Sequence, residues 1–314
     1  MFKKCMFTIV LCGLLATFQP QILSAEEKGV FDYQEQIEAD KEVKKIVFIA
    51  DAGTHGGRGN HEFMAGSILL ARRLNATYPH VHAVVYSSKN WPKDLSHADA
   101  IVVALNHGQQ AAKDPNIFGA VRRGAGFMAI HFGVEVNKGE QGDNYLQWMG
   151  GYFETFWSVN PWWKPDFKEI PEHPTTRGVK PFSVRDEWYY HMRFVDGMTG
   201  VTPILSDVPP LSTVSEKPSD RGGNADVYKE VSEGKSQIMA WAYERPDEGR
   251  GFGFTGMHLH ENLGNDSFRQ VLLNGVAWVT KLDIPTDGVP NEPVDSKQLE
   301  KFIDEAQAAL KAGH

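Results

Sequence analysis

An α/β fold, with a mostly parallel sheet covered by helices on both faces, is what this sequence predicts. Short apolar runs at 45–50, 81–86, 100–105 and 126–131 read as buried strands, and segments of helical spacing separate them. That alternation at this interval is the signature of strand–helix–strand units around a parallel sheet. Histidines also cluster just past the strand ends: His55 and His61 after the first run, His107 after the third, and His131 at the end of the fourth. His258, with His260 beside it, ends a late run at 251–257. In an open parallel sheet the carboxyl ends of the strands share one edge, and ligands bind there. Imidazoles distant in sequence should therefore converge on one crevice.

The elements follow in order. Residues 26–44 are charged and polar, a lead-in with room for one short helix. After the strand at 45–50, residues 51–60 form a loop rich in Gly and His. Residues 61–78 have helical spacing, with Phe63, Leu69, Leu70 and Leu74 on roughly one side. Residues 117–123 and 144–149 read as short helices. The stretch 151–234 breaks the rhythm. It holds Trp157, Trp162, Trp163, Trp188, Tyr189 and Tyr190, and reads as a long aromatic-rich excursion over the sheet edge, with 203–223 an exposed loop containing one short strand. A strand pair at 238–243 and 251–257 returns to the sheet. An amphipathic helix at 267–280 follows, with Asp266 or Ser267 as its cap. A linker at 285–293 leads to a terminal helix at 296–312. The expected organisation is a leader at 1–25, the lead-in at 26–44, one domain at 45–284, and a linker with helix at 285–314.

Composition narrows the function classes. Lys3 and Lys4, the apolar stretch 5–18 and the small-residue site Leu23-Ser24-Ala25 read as a secretory leader cleaved after Ala25. The mature protein is expected in the periplasm or outside the cell, with no later membrane span. Both cysteines, Cys5 and Cys12, lie in that leader, so no cysteine nucleophile or thiolate metal site is expected in the mature chain. The formal charge of −8 becomes −10 once Lys3 and Lys4 are removed. An acidic chain without a basic stripe is a poor nucleic-acid binder. Oligomeric state is not legible.

Four motifs carry candidate chemistry. His131 follows an apolar strand and precedes Phe132-Gly133, a place where a sharp turn lifts a side chain above the sheet edge. Imidazole there suits a metal ligand or general base; the plainer alternative is a histidine bonded to backbone. The loop from Asp51 to Glu62 lets the backbone approach a ligand closely. It lacks the spacing of a phosphate loop, so no nucleotide cofactor is expected. His61 leads His55 as the functional residue of that loop. Asp186, Glu187 and His191 fit a metal shell or an acid/base pair, while Trp162, Trp188 and Tyr190 suit either a sugar face or a local core. Strand alternation would send His258 and His260 to one side, where the two can chelate one ion. His107, followed by Gly108, is a weaker ligand-contact candidate.

At these motifs the sequence resembles the ThuA-like (trehalose-utilisation) family, and most of all its exported branch in planctomycete-type bacteria. The resemblance runs from about residue 45 to 287. It rests on Asn60-His61-Glu62-Phe63-Met64-Ala65-Gly66, on Gly124-Ala125-Gly126-Phe127-Met128-Ala129-Ile130-His131 and on Gly150-Gly151-Tyr152-Phe153-Glu154. It continues through Trp157-Ser158-Val159-Asn160-Pro161, Arg185-Asp186-Glu187-Trp188-Tyr189-Tyr190-His191 and Gly251-Phe252-Gly253-Phe254-Thr255-Gly256-Met257-His258. The resemblance implies a flavodoxin-like, class I glutamine-amidotransferase-like fold with His131 at the position of that superfamily's cysteine. Amide transfer from glutamine by a cysteine is thereby excluded. It also implies a link to disaccharide and keto-sugar metabolism.

The functional expectation is an exported enzyme acting on a sugar or keto-sugar derivative, such as a 3-keto-glycoside, by hydrolysis, elimination or isomerisation. A divalent ion, zinc or manganese, would be held by His61, His131, His258 and His260. His131, Glu187, Asp186 and His191 would serve catalysis; His55, His107, Trp162, Trp188 and Tyr190 would contact the carbohydrate. The alternatives are acid/base catalysis by His131 and Glu187 without metal, and a non-catalytic carbohydrate-binding or scaffold protein on the same fold.

Overall fold

The structure is a computed structural model and describes residues 29–33, 42–53 and 55–314. The leader expected at 1–25 and most of the lead-in at 26–44 lie outside the described residues. In chain order the main elements begin with β1 (Lys44–Ala50), α1 (Phe63–Thr77), β2 (Val81–Ser87) and β3 (Ala100–Ala104). Next come α2 (Gln109–Lys113), α3 (Pro115–Arg122), β4 (Gly126–Ile130) and α4 (Glu140–Met149). Four two-residue strands follow: β5 (Gly151–Tyr152), β6 (Trp162–Trp163), β7 (Asp186–Glu187) and β8 (Arg193–Phe194). The chain closes with β9 (Val201–Asp207), α5 (Ala225–Ser232), β10 (Gln237–Glu244), β11 (Arg250–Phe254), α6 (Asp266–Val279) and α7 (Ser296–Ala312).

The main sheet runs β2-β1-β3-β4-β11-β10-β9. Its first five strands are mutually parallel, and β10 runs antiparallel between β11 and β9. The parallel part has the flavodoxin-like order, with β11 as fifth strand. Side chains alternate between two cores, as a strand buried on both faces requires. Ile46, Phe48 and Ala50 of β1 join one core, under α1, α6 and α7; Val47 and Ile49 join the other, under α2, α3 and α4. The sequence reading therefore gives the right fold class: an α/β sheet, mostly parallel, with helices on both faces.

Several boundaries differ from expectation. The helix expected from residue 61 starts at Phe63, because His61 has φ 50° and cannot continue a right-handed helix. The last parallel strand stops at Phe254 rather than Met257. The one short strand expected within 203–223 is β9, which starts two residues earlier, at Val201, and tolerates Pro203 because it is an edge strand. Helix α4 begins at Glu140, four residues earlier than its apolar spacing suggests, and α6 is capped by Asn265. Helix α7 docks on α1: Leu299, Ile303, Ala306 and Ala309 are buried, and Arg72 pairs with Glu305.

The aromatic insertion is fastened to the sheet edge by one carboxylate. Asp186, fully buried, accepts hydrogen bonds from the backbone N–H groups of Met257, His258 and Leu259 and from Asn262 Nδ2. Thr255 Oγ1 donates to the carbonyl of Tyr189 at 2.9 Å, and Gly256 leaves room for the Trp188 ring, which a Cβ would meet at 2.7 Å. A buried carboxylate is stable only when so satisfied. These bonds hold residues 186–190 against the loop after β11, over the carboxyl ends of the strands.

Candidate metal centre

Three loops and the insertion meet at that edge. After β1, the loop 55–62 is zipped onto 258–260 by backbone bonds from His61 N to His258 O (2.8 Å) and from His260 N to Gly59 O (2.9 Å). His131 leaves β4 with φ 50°. Positive φ in two non-glycine residues is strain that packing must hold in place, and such strain gathers at functional sites. The result is a cluster of His61, His131, Glu187 and His258, each offering one ligand atom, with all four atoms within 4.8 Å of one another.

The hydrogen bonds fix the protonation of two rings. His61 Nδ1 donates to the carbonyl of His55 at 2.9 Å, and His131 Nδ1 donates to the carbonyl of Thr255 at 2.8 Å. A carbonyl oxygen only accepts, so in the neutral rings each Nε2 carries a bare lone pair. Those two Nε2 atoms face each other at 3.2 Å. Glu187 Oε2 lies 3.5 Å from His131 Nε2 and 3.0 Å from His258 Nδ1. Ligands about 2.0–2.1 Å from a tetrahedral zinc lie roughly 3.3 Å apart, so these three separations are compatible with one divalent ion among the four groups. Nδ1 bonded to a backbone carbonyl is also the usual way a ligand imidazole is oriented. The donor set, imidazoles plus one carboxylate, fits zinc or manganese.

The surroundings agree in sign. Burial, and then the neighbouring His131, push the His61 imidazole down to about 3, so it stays neutral and able to ligate. Burial alone would raise the Glu187 carboxyl, but the adjoining imidazoles of His131 and His258 outweigh it and hold it near 2. Tyr189 Oη donates to Glu187 Oε2 at 3.3 Å and lies 3.2 Å from His131 Nε2; burial raises its own pKa well above the ordinary range. Asn160 Nδ2 donates to the other oxygen, Glu187 Oε1, at 3.2 Å.

The remaining expected residues fall in different places. His55 stacks on His61 with ring centroids 3.7 Å apart, at the mouth. Trp162 is 38% exposed and meets the His258 ring in a T-shaped contact with centroids 4.4 Å apart, with Arg185 over its own face at 4.6 Å. His107 packs on Phe132 at 4.2 Å, with Nδ1 3.7 Å from Glu135 Oε1. Asp186 is bonded to backbone and Asn262, so it positions His258 and does not face the cluster. His191 donates from Nδ1 to the Trp157 carbonyl, stacks on that indole and faces Glu230, apart from the four. Trp188 and Tyr190 correct the expectation of a sugar platform: both are fully buried, Trp188 against Phe167, Phe254 and Phe268. His260 corrects the expected chelating pair. The strand has ended by Phe254, His260 opens a 3-10 turn, and its Nε2 donates to the Leu299 carbonyl.

Tyr189 is the residue that sequence reasoning passed over. The signal was available: along the extended run 186–190, Glu187 and Tyr189 share one side and Asp186, Trp188 and Tyr190 the other. Thr255, whose carbonyl orients His131, carried no signal.

A flavodoxin-like α/β protein with a three-histidine, one-glutamate cluster at the strands' carboxyl edge is the class that fold and site define. The chain belongs to the ThuA family: the family profile, described as trehalose utilisation, matches residues 54–279. No curated protein matches the chain. Among solved structures, it is similar to a ThuA-like protein from Bacteroides uniformis ATCC 8492, at 15% identity and TM-score 0.48, over 77% of this chain and 93% of that one. A ThuA-like protein from Parabacteroides merdae ATCC 43184 gives 12% identity and TM-score 0.46, over 82% and 96%. PurLQS from Thermotoga maritima gives 13% and 0.37, over 85% and 99%. These likenesses are too distant to carry an argument, and the architecture rests on the strand order itself.

Proposed function

We propose that this protein is an exported, divalent-metal-dependent enzyme acting on a sugar or keto-sugar derivative, such as a 3-keto-glycoside. The observation that carries the metal reading is the pair of bare Nε2 atoms of His61 and His131 at 3.2 Å. Two lone pairs at that separation repel unless a cation lies between them. His61, His131, His258 and Glu187 would hold zinc or manganese. Such an ion supplies Lewis acidity at a carbonyl oxygen or lowers the pKa of a water.

The chain's own groups do the rest. Trp162 offers a partly exposed indole beside the centre, a common partner of a sugar ring. Tyr189 and Asn160 fix the two oxygens of Glu187, so that its charge stays in one orientation. His55 and Phe132 stand beside the His61 ring, with centroids 3.7 and 6.4 Å from it. The sugar class is supported by family membership, and export by the leader-like segment 1–25.

The test is elemental analysis of the purified protein with calorimetric titration of zinc and manganese. One ion per chain with submicromolar affinity, lost in His131→Ala, is expected. The absence of binding by any divalent ion would overturn the metal part. Turnover of 3-keto-glycosides that is insensitive to chelator would overturn the metal's role. Sugar binding that survives His131→Ala, without turnover by any form, would instead make the protein a binding module.

A further inference from the structure

Helix α7 reaches the loop that carries His61. That loop is rich in glycine: Gly56, Gly57 and Gly59 take left-handed φ of 87°, 87° and 88°. A glycine run has more conformational freedom to lose on ordering than any other stretch of chain. Within it stands Arg58. Its Nε donates to Glu300 Oε2 at 2.9 Å, and its Nη2 donates to Glu300 Oε2 at 2.6 Å and to Asp304 Oδ1 at 2.8 Å. Glu300 and Asp304 lie four positions apart on α7, on one face of the helix, so a single guanidinium spans both.

The stretch that carries His258 is fastened to the same helix. His260 Nε2 donates to the Leu299 carbonyl at 3.2 Å, and Asn60 pairs with Leu259 in an isolated antiparallel bridge. The two backbone stretches that deliver His61 and His258 are thus both tied to residues 299–304. Further along α7, Ala306, Gln307 and Leu310 line a cavity of about 160 Å³ together with His61 and Glu62. The helix is itself anchored, by its buried face of Leu299, Ile303, Ala306 and Ala309 and by the pairing of Arg72 with Glu305. It lies beyond residue 279, where the family match ends.

Arg58, Glu300 and Asp304 all stand in solvent, and exposed ion pairs add little to global stability. Their effect falls on the loop instead. A glycine-rich loop must be ordered before its histidine can ligate. A tether that orders it beforehand removes that cost from the binding step and so raises affinity.

We propose that α7 braces the metal centre, with Arg58, Glu300 and Asp304 as positioning residues that hold the His61 loop ready for a divalent cation. The proposal rests on the metal reading above. It is tested by calorimetric titration of zinc into the full chain, and by amide hydrogen exchange of residues 55–61 in EDTA. Arg58→Gln and, separately, Glu300→Gln with Asp304→Asn should each weaken zinc about fivefold at low salt and speed exchange in the loop. All three changes together should do no more than either set, because they break one network. The difference from the unaltered chain should vanish at about 1 M salt, where exposed pairs are screened. The signs identify the cause. If charge alone acted on the ion, removing the Arg58 cation would tighten zinc and removing the two carboxylates would weaken it; a lost tether weakens zinc in both. Unchanged denaturation midpoints show that the variants fold. Opposite signs, additive losses or unchanged exchange in the loop would overturn the brace while leaving the metal reading intact. An unaltered chain that binds no divalent ion would overturn both.

Discussion

His61 and His131, seventy positions apart, present their Nε2 atoms to each other at 3.2 Å while a backbone carbonyl holds each ring from behind. The orientation is imposed from the second ring nitrogen, so the site exists before any ion arrives. Preorganisation of this kind makes ion binding a stabilising event.

Zinc at a hundredfold excess over its dissociation constant should therefore add about 2.7 kcal/mol to the stability of the folded chain. For a chain of this size that is a rise in melting temperature of roughly 4–5 °C. Differential scanning fluorimetry with and without EDTA measures it. His131→Ala should show no rise.

Tyr189→Phe removes one hydroxyl from a buried ring without changing its shape. The variant should lose roughly 1 kcal/mol in urea denaturation. Because the hydroxyl fixes Glu187, metal affinity should fall about 10–100-fold, as for other outer-shell partners of metal ligands. Calorimetry separates the two effects; an unchanged metal affinity would show that Tyr189 only packs.

Asp186→Ala should be severe. It leaves the N–H groups of Met257, His258 and Leu259 without their side-chain acceptor and takes from the Asn262 amide one of its two. A loss of about 3–5 kcal/mol is expected from denaturation curves, along with weaker metal binding as His258 loosens.

Acid should destabilise the metal-free protein in a definite window. Burial depresses His61 to about 3 and His260 to about 4 in the folded chain, whereas both protonate near 6.5 when unfolded. Between those values the unfolded state binds more protons, so stability falls as pH drops below about 6.5. Glu187, held near 2 when folded, extends the loss below about 4.5. Denaturation midpoints at pH 7.5, 5.5 and 4.5 should decrease in that order. A flat profile would mean that these groups are solvated in solution.

Trp162→Ala should leave stability nearly unchanged, because the indole is 38% exposed. Sugar affinity should drop about tenfold, a loss to be read by calorimetry.

The sheet was legible because strands buried on both faces read as continuous apolar runs, and their carboxyl ends located His61, His131 and His258. The side of the insertion that faces the site was harder to read. Trp188 and Tyr190 look like binding aromatics by composition, yet they share the parity of Asp186 and enter the core; only counting outward from Glu187 points to Tyr189. His260 failed for a related reason: alternation ends where the strand does, and nothing local marks Phe254 as the last paired residue. The docking of α7 rests on its own apolar stripe, but which surface receives it is a tertiary matter.

The Asp186 clasp makes the aromatic excursion and the end of the last parallel strand a single hereditary unit. A chimera that exchanged either stretch alone would inherit a glutamate with nothing to aim it, or a histidine on a slack tether. Recombination among relatives should therefore succeed only when both travel together.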